Sequence, residues 1–174
     1  MIALGATAAS GAPPVSDSVH GSGTSAYPAC RTSQLEVWRG APGSGVAGGV
    51  YYDLQFSNVS GTTCSLFGFP GVSAVTSSRH QLGSPASWDH SYAPTTVVVS
   101  PGTTAHAVLR VTDVGVFSPS ACQPTTAAGL RIYPPNQTTP TFLPFQFRAC
   151  AKAGPVYLSV RTIRPRAGIP GFSQ

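Results

Sequence analysis

The sequence is poor in charged residues, which make up 9% of its 174 positions, whereas ordinary soluble proteins have roughly 25%. Its five acidic residues are Asp17, Glu36, Asp53, Asp89 and Asp113. A glycoside hydrolase needs two carboxylates placed across a sugar bond, and here one acid lies in a Pro- and Gly-rich stretch and another points outward on a predicted strand. The sequence therefore favours a protein that is not an enzyme, with a glycan-active enzyme as a distant alternative.

Other catalytic patterns are also missing. There is no Gly-x-Ser-x-Gly nucleophile elbow, and the glycine-rich "GSGVAGG" precedes a predicted strand, where a phosphate cradle precedes a helix. The histidines at positions 20, 80, 90 and 106 are too dispersed for a metal motif. In "WDHSY", Asp89 is adjacent to His90, and these two residues together with His80 could supply three ligands to a metal ion. A polar loop without a metal explains the same residues. We expect no cofactor and no metal site.

Long apolar runs are absent too. No stretch approaches the roughly 18 to 20 apolar residues of a membrane-spanning helix. The opening "MIALGATAASGA" is typical of the end of a signal peptide without its positively charged start, and the next residues are rich in Pro, Gly and Ser. We predict a truncated signal remnant and flexible linker over residues 1–29, a β-sandwich domain over 30–165 and a C-terminal tail over 166–174.

Four cysteines are present, at positions 30, 64, 122 and 150. They allow three disulfide pairings, and no two are close enough in sequence for a zinc motif. An even number at wide spacing indicates disulfides and an oxidising compartment, although four buried thiols in a cytosolic protein are the alternative. The sequence thus predicts a secreted or extracellular protein. Association with the cell wall is one location that fits this prediction.

Strands are the expected secondary structure, because 19 Gly and 17 Pro interrupt any long helix while short apolar runs alternate with polar residues. Residues 156–161 alternate with a period of two, which places Val156 on the buried face and Tyr157 on the other. The predicted strands cover residues 34–39, 50–58, 65–75, 96–99, 104–113, 129–133, 141–148 and 156–163.

The segment "NVSGTTCSLFGFPGV", residues 58–72, combines a polar turn, a cysteine and a broken aromatic run. We predict that Leu66 and Phe67 lie near the core and that Gly68, Pro70 and Gly71 bend the chain as it passes from one sheet toward the other. Pairing of strand 34–39 with 50–58 brings Cys30 toward Cys64. Pairing of 129–133 with 141–148 likewise brings Cys122 toward Cys150, so we predict these two disulfides.

The same residues resemble a known family. "CRTSQLEV", "LQFSNVSGTTCSLFGFPGV", "VVVSPGTTAHAVL" and the late pair of cysteines are similar to the secreted actinobacterial family called domain of unknown function 4232, over roughly residues 30–165. The resemblance implies an exported protein or lipoprotein with an immunoglobulin-like antiparallel β-sandwich of about eight strands. It implies no activity. The chain differs from lipoprotein members in that "YPAC" lacks the Leu expected before a lipid-modified cysteine.

The remaining candidates for function lie on the surface. The formal charge of +5 comes from scattered arginines that form no dense patch, so we expect no nucleic acid partner. Loose association with an anionic cell-wall polymer, or binding of an envelope protein, fits this charge better. Exposed aromatics would offer stacking surfaces, whereas a purely structural domain would bury them. The predicted binding surface consists of Trp38, Trp88, Tyr92, Arg161, Arg164 and Arg166.

Overall fold

The structure, a computed structural model, describes residues 26–40 and 44–167 of the chain. It is mostly β, with two disulfides. The strands of the described part are β1 Leu35–Arg39, β2 Ser44–Val46, β3 Gly49–Asn58, β4 Cys64–Leu66, β5 Gly71–Val75, β6 Gln81–Leu82, β7 Ser87–Asp89, β8 Val97–Val99, β9 Thr104–Thr112, β10 Pro124–Tyr133, β11 Thr141–Cys150, β12 Leu158–Arg161 and β13 Arg164–Pro165.

Three short helical segments accompany the strands. Two are 3₁₀ turns, Thr32–Gln34 and Val114–Val116, and one is the α-helical turn α1, Pro119–Cys122. None of the helices in the described ranges is long and apolar enough to cross a membrane.

The strands of the described part form three sheets. The largest has the order β1-β3-β9-β12-β7, with β2 added to β3 and β13 added to β9. The second has the order β11-β10-β5-β6, and the third consists of β4 and β8. All pairs are antiparallel except β7 with β12, which is parallel, so the expectation of a wholly antiparallel arrangement is wrong at this edge.

One apolar core cluster includes buried residues from all three sheets. On β9 the residues alternate strictly, and Ala105, Ala107, Leu109 and Val111 are buried. They belong to one cluster with apolar residues of the second sheet, such as Leu130 on β10. Removal of this apolar surface from water, at about 25 cal/mol per Å², is the main force that holds the sheets together.

All eight predicted strands are present, with one divided and four short strands added. The predicted strand 65–75 becomes β4 and β5, which belong to different sheets. Gly68 lies between them with φ of +97°, a conformation that favours glycine, and Pro70 has no N–H for a ladder. The predicted bend between two sheets is therefore confirmed. The added short strands are β2, β6, β7 and β13.

The alternation predicted for residues 156–161 is wrong at its start. Val156 is 54% exposed, whereas Tyr157 is fully buried and its hydroxyl donates to the Leu82 carbonyl at 2.9 Å. Burial also raises the pKa of this phenol. The strand begins only at Leu158, and from there the predicted alternation holds.

Both predicted disulfides are confirmed. Cys30 is bonded to Cys64 and Cys122 to Cys150, across sequence separations of 34 and 28 residues. The strand pairs that were expected to bring them together, β1 with β3 and β10 with β11, are also present. Closing loops of this length stabilises the fold by about 3–4 kcal/mol each, chiefly by restricting the unfolded chain.

Asn58 lies beside the first disulfide and is completely buried. Its side-chain nitrogen donates to the carbonyls of Thr62 and Val99, both at 2.8 Å. Its oxygen accepts hydrogen bonds from the amide and the hydroxyl of Ser60, at 2.9 and 2.7 Å. One amide thus joins the end of β3, the turn after it and β8, and it satisfies polar groups that would be costly to bury without partners.

The folded part extends slightly beyond the cysteine framework. The Ser65 amide donates to the Pro28 carbonyl at 2.8 Å, and the Ser65 hydroxyl donates to the Tyr27 carbonyl. Near the other end, His106 Nδ1 donates to the Arg166 carbonyl at 2.7 Å. Of the predicted signal remnant and linker, residues 1–25 lie outside the described residues, as do residues 168–174 of the predicted tail.

We expect Asn58→Ala to lower the free energy of unfolding by about 2–4 kcal/mol, because the buried Val99 carbonyl and the partly buried Thr62 carbonyl lose a donor and two groups of Ser60 lose their acceptor. Urea unfolding under oxidising conditions measures this. Val59→Ala is the matched control: its side chain is 61% exposed, so it should change stability by less than about 0.5 kcal/mol. Equal stabilities of the two variants would contradict the role assigned to Asn58.

Candidate functional site

The edge strand β7 separates two surfaces. Successive side chains of a strand point to opposite faces, so Trp88 and Asp89 leave β7 on different sides. Trp88 lines an aromatic groove, whereas Asp89 joins arginines on the outer face of the large sheet.

The aromatic groove has a volume of about 460 Å³. Its central feature is a stacked pair, Phe69 on Trp88, with ring centroids 5.2 Å apart and planes only 12° from parallel. Trp88 is 56% exposed and Phe67 is 51% exposed, so the rings face solvent. Four aromatic rings and two amides characterise the lining, which consists of Phe67, Gly68, Phe69, Gly71, Trp88, Pro94, Tyr133, Pro134, Asn136 and Gln137.

One wall of the groove is a tight turn. The Gln137 amide donates to the Pro134 carbonyl at 3.0 Å, and Asn136 has φ of +60°. With Pro135 before Asn136, this is the pattern of a type II turn, in which proline presets one position and asparagine tolerates the left-handed one. Asn136 Nδ2 then donates to the Phe67 carbonyl at 3.2 Å, so the turn is joined to the opposite wall.

Gly71 and Tyr133 lie side by side in the groove lining. They are paired residues of β5 and β10. A Cβ on Gly71 would lie 3.4 Å from the Tyr133 side chain, which is ordinary van der Waals contact.

On the other side of β7 lies a basic face, formed by Arg110, Arg161, Arg164, Tyr51 and Tyr92 on the outer side of the large sheet. Arg161 Nε lies 3.1 Å from Asp89 Oδ2, and its guanidinium lies 5.4 Å from the Tyr51 ring centroid and 5.5 Å from that of Tyr92. Arg164 lies 5.1 Å from the same Tyr92 ring. Cation–π contacts of this kind hold the two guanidinium groups against tyrosines.

The ionisation of Asp89 is set by its neighbours. Partial burial opposes the charged form, but hydrogen bonds from the Ser91 hydroxyl and amide and from Arg161 outweigh it, so the pKa of Asp89 lies below its usual value. Asp89 is thus an anion that offsets one guanidinium, and the basic face as a whole keeps an excess of positive charge.

A buried polar pair lies under the same outer face. Asp53 is fully buried, its Oδ2 is 3.5 Å from Gln55 Nε2, and its Oδ1 has no hydrogen-bond partner among the described residues. Burial raises the pKa of Asp53, and the nearby His106 opposes this rise only in part. The backbone of Asp53 is also engaged, since its carbonyl accepts from the Gly40 amide at 3.0 Å.

The structure brings four of the six predicted surface residues to the region around β7: Trp88, Tyr92, Arg161 and Arg164. Trp38 lies elsewhere, on β1 at the opposite end of the large sheet, where its Nε1 donates to the Ser57 hydroxyl at 2.9 Å. Arg166 lies after β13 and is exposed.

Sequence reasoning missed most of the groove. Phe67 was expected near the core and is instead exposed at the rim, because the chain turns at Gly68 immediately after β4. Asn136 and Gln137 lie in the connection between the predicted strands 129–133 and 141–148, to which no function was assigned. The signals that could have indicated a site are the two short segments "FGFPG" and "PPNQ", each of which combines turn residues with aromatic or amide side chains.

The histidines do not converge. His80 contacts Ser78 Oγ at 3.2 Å, and His90 packs against Phe69 with ring centroids 4.8 Å apart. His106 is engaged with Arg166, and His20 lies outside the described residues. No group of three His, Cys, Asp or Glu side chains in residues 26–40 and 44–167 is placed to hold a metal ion.

Comparison with known families gives a clear match. The family model described as a domain of unknown function, DUF4232, matches residues 30–164. The chain belongs to this family. Neither the curated proteins nor the solved structures contain a match. The matched range includes the segment with Asn58 and Cys64, and membership assigns no activity to the groove or to the basic face.

We expect Asp53→Asn to stabilise the protein at about pH 7 and to have little effect at about pH 4. The folded-state pKa of Asp53 is raised, so its contribution to stability is largest when it is protonated and falls as pH rises from the unfolded pKa, near 3.8, through the folded one. The asparagine side chain is neutral at every pH, so the variant does not lose stability through ionisation at this position as pH rises. Urea unfolding across this pH range measures the difference.

The control for this prediction is Asp113→Asn. Asp113 is exposed and its Oδ1 accepts from the Gly115 amide at 2.9 Å, so this variant also removes one negative charge, but from a solvated site. It should show no gain at neutral pH. A less stable Asp53→Asn protein at pH 7 would mean that the carboxylate is held by favourable interactions.

Proposed function

We propose that this protein is a secreted, non-enzymatic binding module of the bacterial cell envelope that uses the aromatic groove as its binding site. The observation that supports this best is the exposed, parallel stack of Trp88 on Phe69 beside Phe67, Tyr133 and two amides. A purely structural domain gains nothing from leaving such rings in water, whereas contiguous exposed aromatics are characteristic of binding surfaces.

Several features support the rest of the proposal. Two disulfides suit an oxidising compartment. The resemblance to exported actinobacterial proteins favours the envelope as the location. The two larger sheets share one core, as the sheets of an immunoglobulin-like sandwich do, and that fold is the one we propose. Binding without catalysis is consistent with the groove lining, which includes no acid, histidine or cysteine.

A second mode of binding is favoured by the basic face. Arg110, Arg161 and Arg164 lie on the same outer side, and Asp89 offsets one of them. A net charge of +5 would attract anionic wall polymers over long range and without selectivity. Such attraction weakens when salt reduces the Debye length, which is about 8 Å at physiological ionic strength.

Sedimentation with isolated cell walls across a salt series distinguishes the two modes. We expect retention that persists at high salt and falls at least about fivefold in Trp88→Ala, because the loss of a central ring typically costs about 1 kcal/mol or more. Trp38→Ala is the matched control, since it removes an indole that is 41% exposed at the far end of the sheet, and it should bind like the wild type.

The other outcomes are equally informative. Retention that disappears with salt and is weakened by Arg164→Gln but not by Trp88→Ala would assign binding to the basic face. Absence of retention at every ionic strength would support a purely structural domain and contradict the proposal. Circular dichroism of each variant shows whether the fold is intact.

A further inference from the structure

The aromatic groove contains no charged side chain. Its ten lining residues are four aromatics, two prolines, two glycines and two amides. An anion buried against such a lining without a partner would be strongly unfavourable. The part of a ligand that enters the groove is therefore not an anion, even if the rest of the ligand carries charge.

The shape of the groove suits a flat ring. Phe69 stacks on Trp88 at a centroid distance of 5.2 Å, and more than half of the Trp88 surface remains open to solvent. The supported indole is a rigid platform, on which the apolar face of a ring can stack with little loss of side-chain freedom. The volume of about 460 Å³ lies within the roughly 300–1,000 Å³ of small-ligand sites.

The polar atoms at the rim are suited to hydrogen bonds with hydroxyl groups of a ligand. Asn136 uses its nitrogen to bind the Phe67 carbonyl, and Gln137 uses its nitrogen to bind the Asn136 carbonyl at 3.2 Å. Their side-chain oxygens accept no hydrogen bond within residues 26–40 and 44–167. Asn136 is exposed and Gln137 is partly exposed, so both oxygens can accept hydrogen bonds from a ligand in place of water. A proline-rich peptide, the other common partner of aromatic grooves, has few donors because proline lacks an N–H.

The rim is also fixed before a ligand arrives. Asn136 occupies a left-handed position in a turn that contains two prolines, and its side chain is joined to the opposite wall. A site with so little conformational freedom to lose binds weakly interacting ligands more effectively than a loose one.

We propose that the aromatic groove binds a neutral saccharide unit of a glycan, with one pyranose ring stacked on Trp88 and its hydroxyls donated to Asn136 and Gln137. This inference rests on the proposed function, since it names the ligand class of the same site. The sugar ring supplies an apolar face for stacking, and its hydroxyls can donate to the two amide oxygens at the rim.

Tryptophan fluorescence tests this directly. The chain has two tryptophans, so Trp38→Phe leaves Trp88 as the sole indole emitter. We titrate this variant with tetrasaccharides of β-1,4-, β-1,3- and α-1,4-linked glucose and of β-1,4-linked N-acetylglucosamine. We expect a saturable change in Trp88 emission with at least one of them, with an affinity that is unchanged between about 0.05 and about 0.5 M NaCl, because no charge takes part.

Two further variants, each made in the Trp38→Phe background, connect the signal to the rim. Gln137→Ala should weaken binding about threefold or more, as expected for the loss of one hydrogen bond. Gln146→Ala removes an exposed glutamine from β11, outside the groove, and should leave the affinity unchanged. Equal effects of the two variants would contradict the role of the Gln137 oxygen.

The remaining outcomes separate the ligand class from the proposed function. If a decaproline peptide saturates the Trp88 signal and no saccharide does, the groove is a peptide site and the inference is wrong. If neither probe binds but Trp88-dependent retention on cell walls persists, the binding module stands and the saccharide assignment fails. If neither probe binds and retention on cell walls does not depend on Trp88, both the saccharide inference and the proposed function are wrong.

Discussion

The buried amide of Asn58 is the constraint on which the rest of the structure depends. It ends the long strand β3, closes the turn that leads to β4 and holds β8 in place, all through one side chain. The Cys30–Cys64 disulfide lies directly beside it. Because the chain is fixed here, it leaves β4 in a defined direction, and that direction decides where the next aromatic residues can go.

The direction in which the chain leaves β4 also sets the position of both surfaces. After β4 the chain makes its glycine turn, and the Gly68 carbonyl accepts from the Thr162 hydroxyl at 3.0 Å and from the Ile163 amide at 2.9 Å. Those two residues lie between β12 and β13, the strands that present Arg161 and Arg164. One carbonyl oxygen thus connects the wall of the aromatic groove to the backbone beneath the basic face.

The sequence predicted those parts of the molecule whose signals are local. Strand positions follow from alternation and turn residues, and the disulfides follow from hairpin pairing, as with β1 and β3. The groove could not be predicted in this way, because Phe67, Trp88 and Asn136 come from three distant segments that meet only in the folded chain. Tyr157 escaped prediction for a similar reason: its ring is buried in the core, where its hydroxyl donates to a carbonyl 75 positions away in the sequence.

The position of Asn136 at the rim has a practical consequence for production of the protein. Asn136-Gln137-Thr138 and Asn58-Val59-Ser60 both match the acceptor sequence for N-linked glycosylation. In a eukaryotic secretory host, a carbohydrate attached to the exposed Asn136 would lie across the mouth of the groove. One attached to Asn58 before folding would keep that amide out of the core. Recombinant protein from such a host would therefore differ from the unmodified chain in two ways: access to the aromatic groove would be blocked, and folding around Asn58 would be impaired.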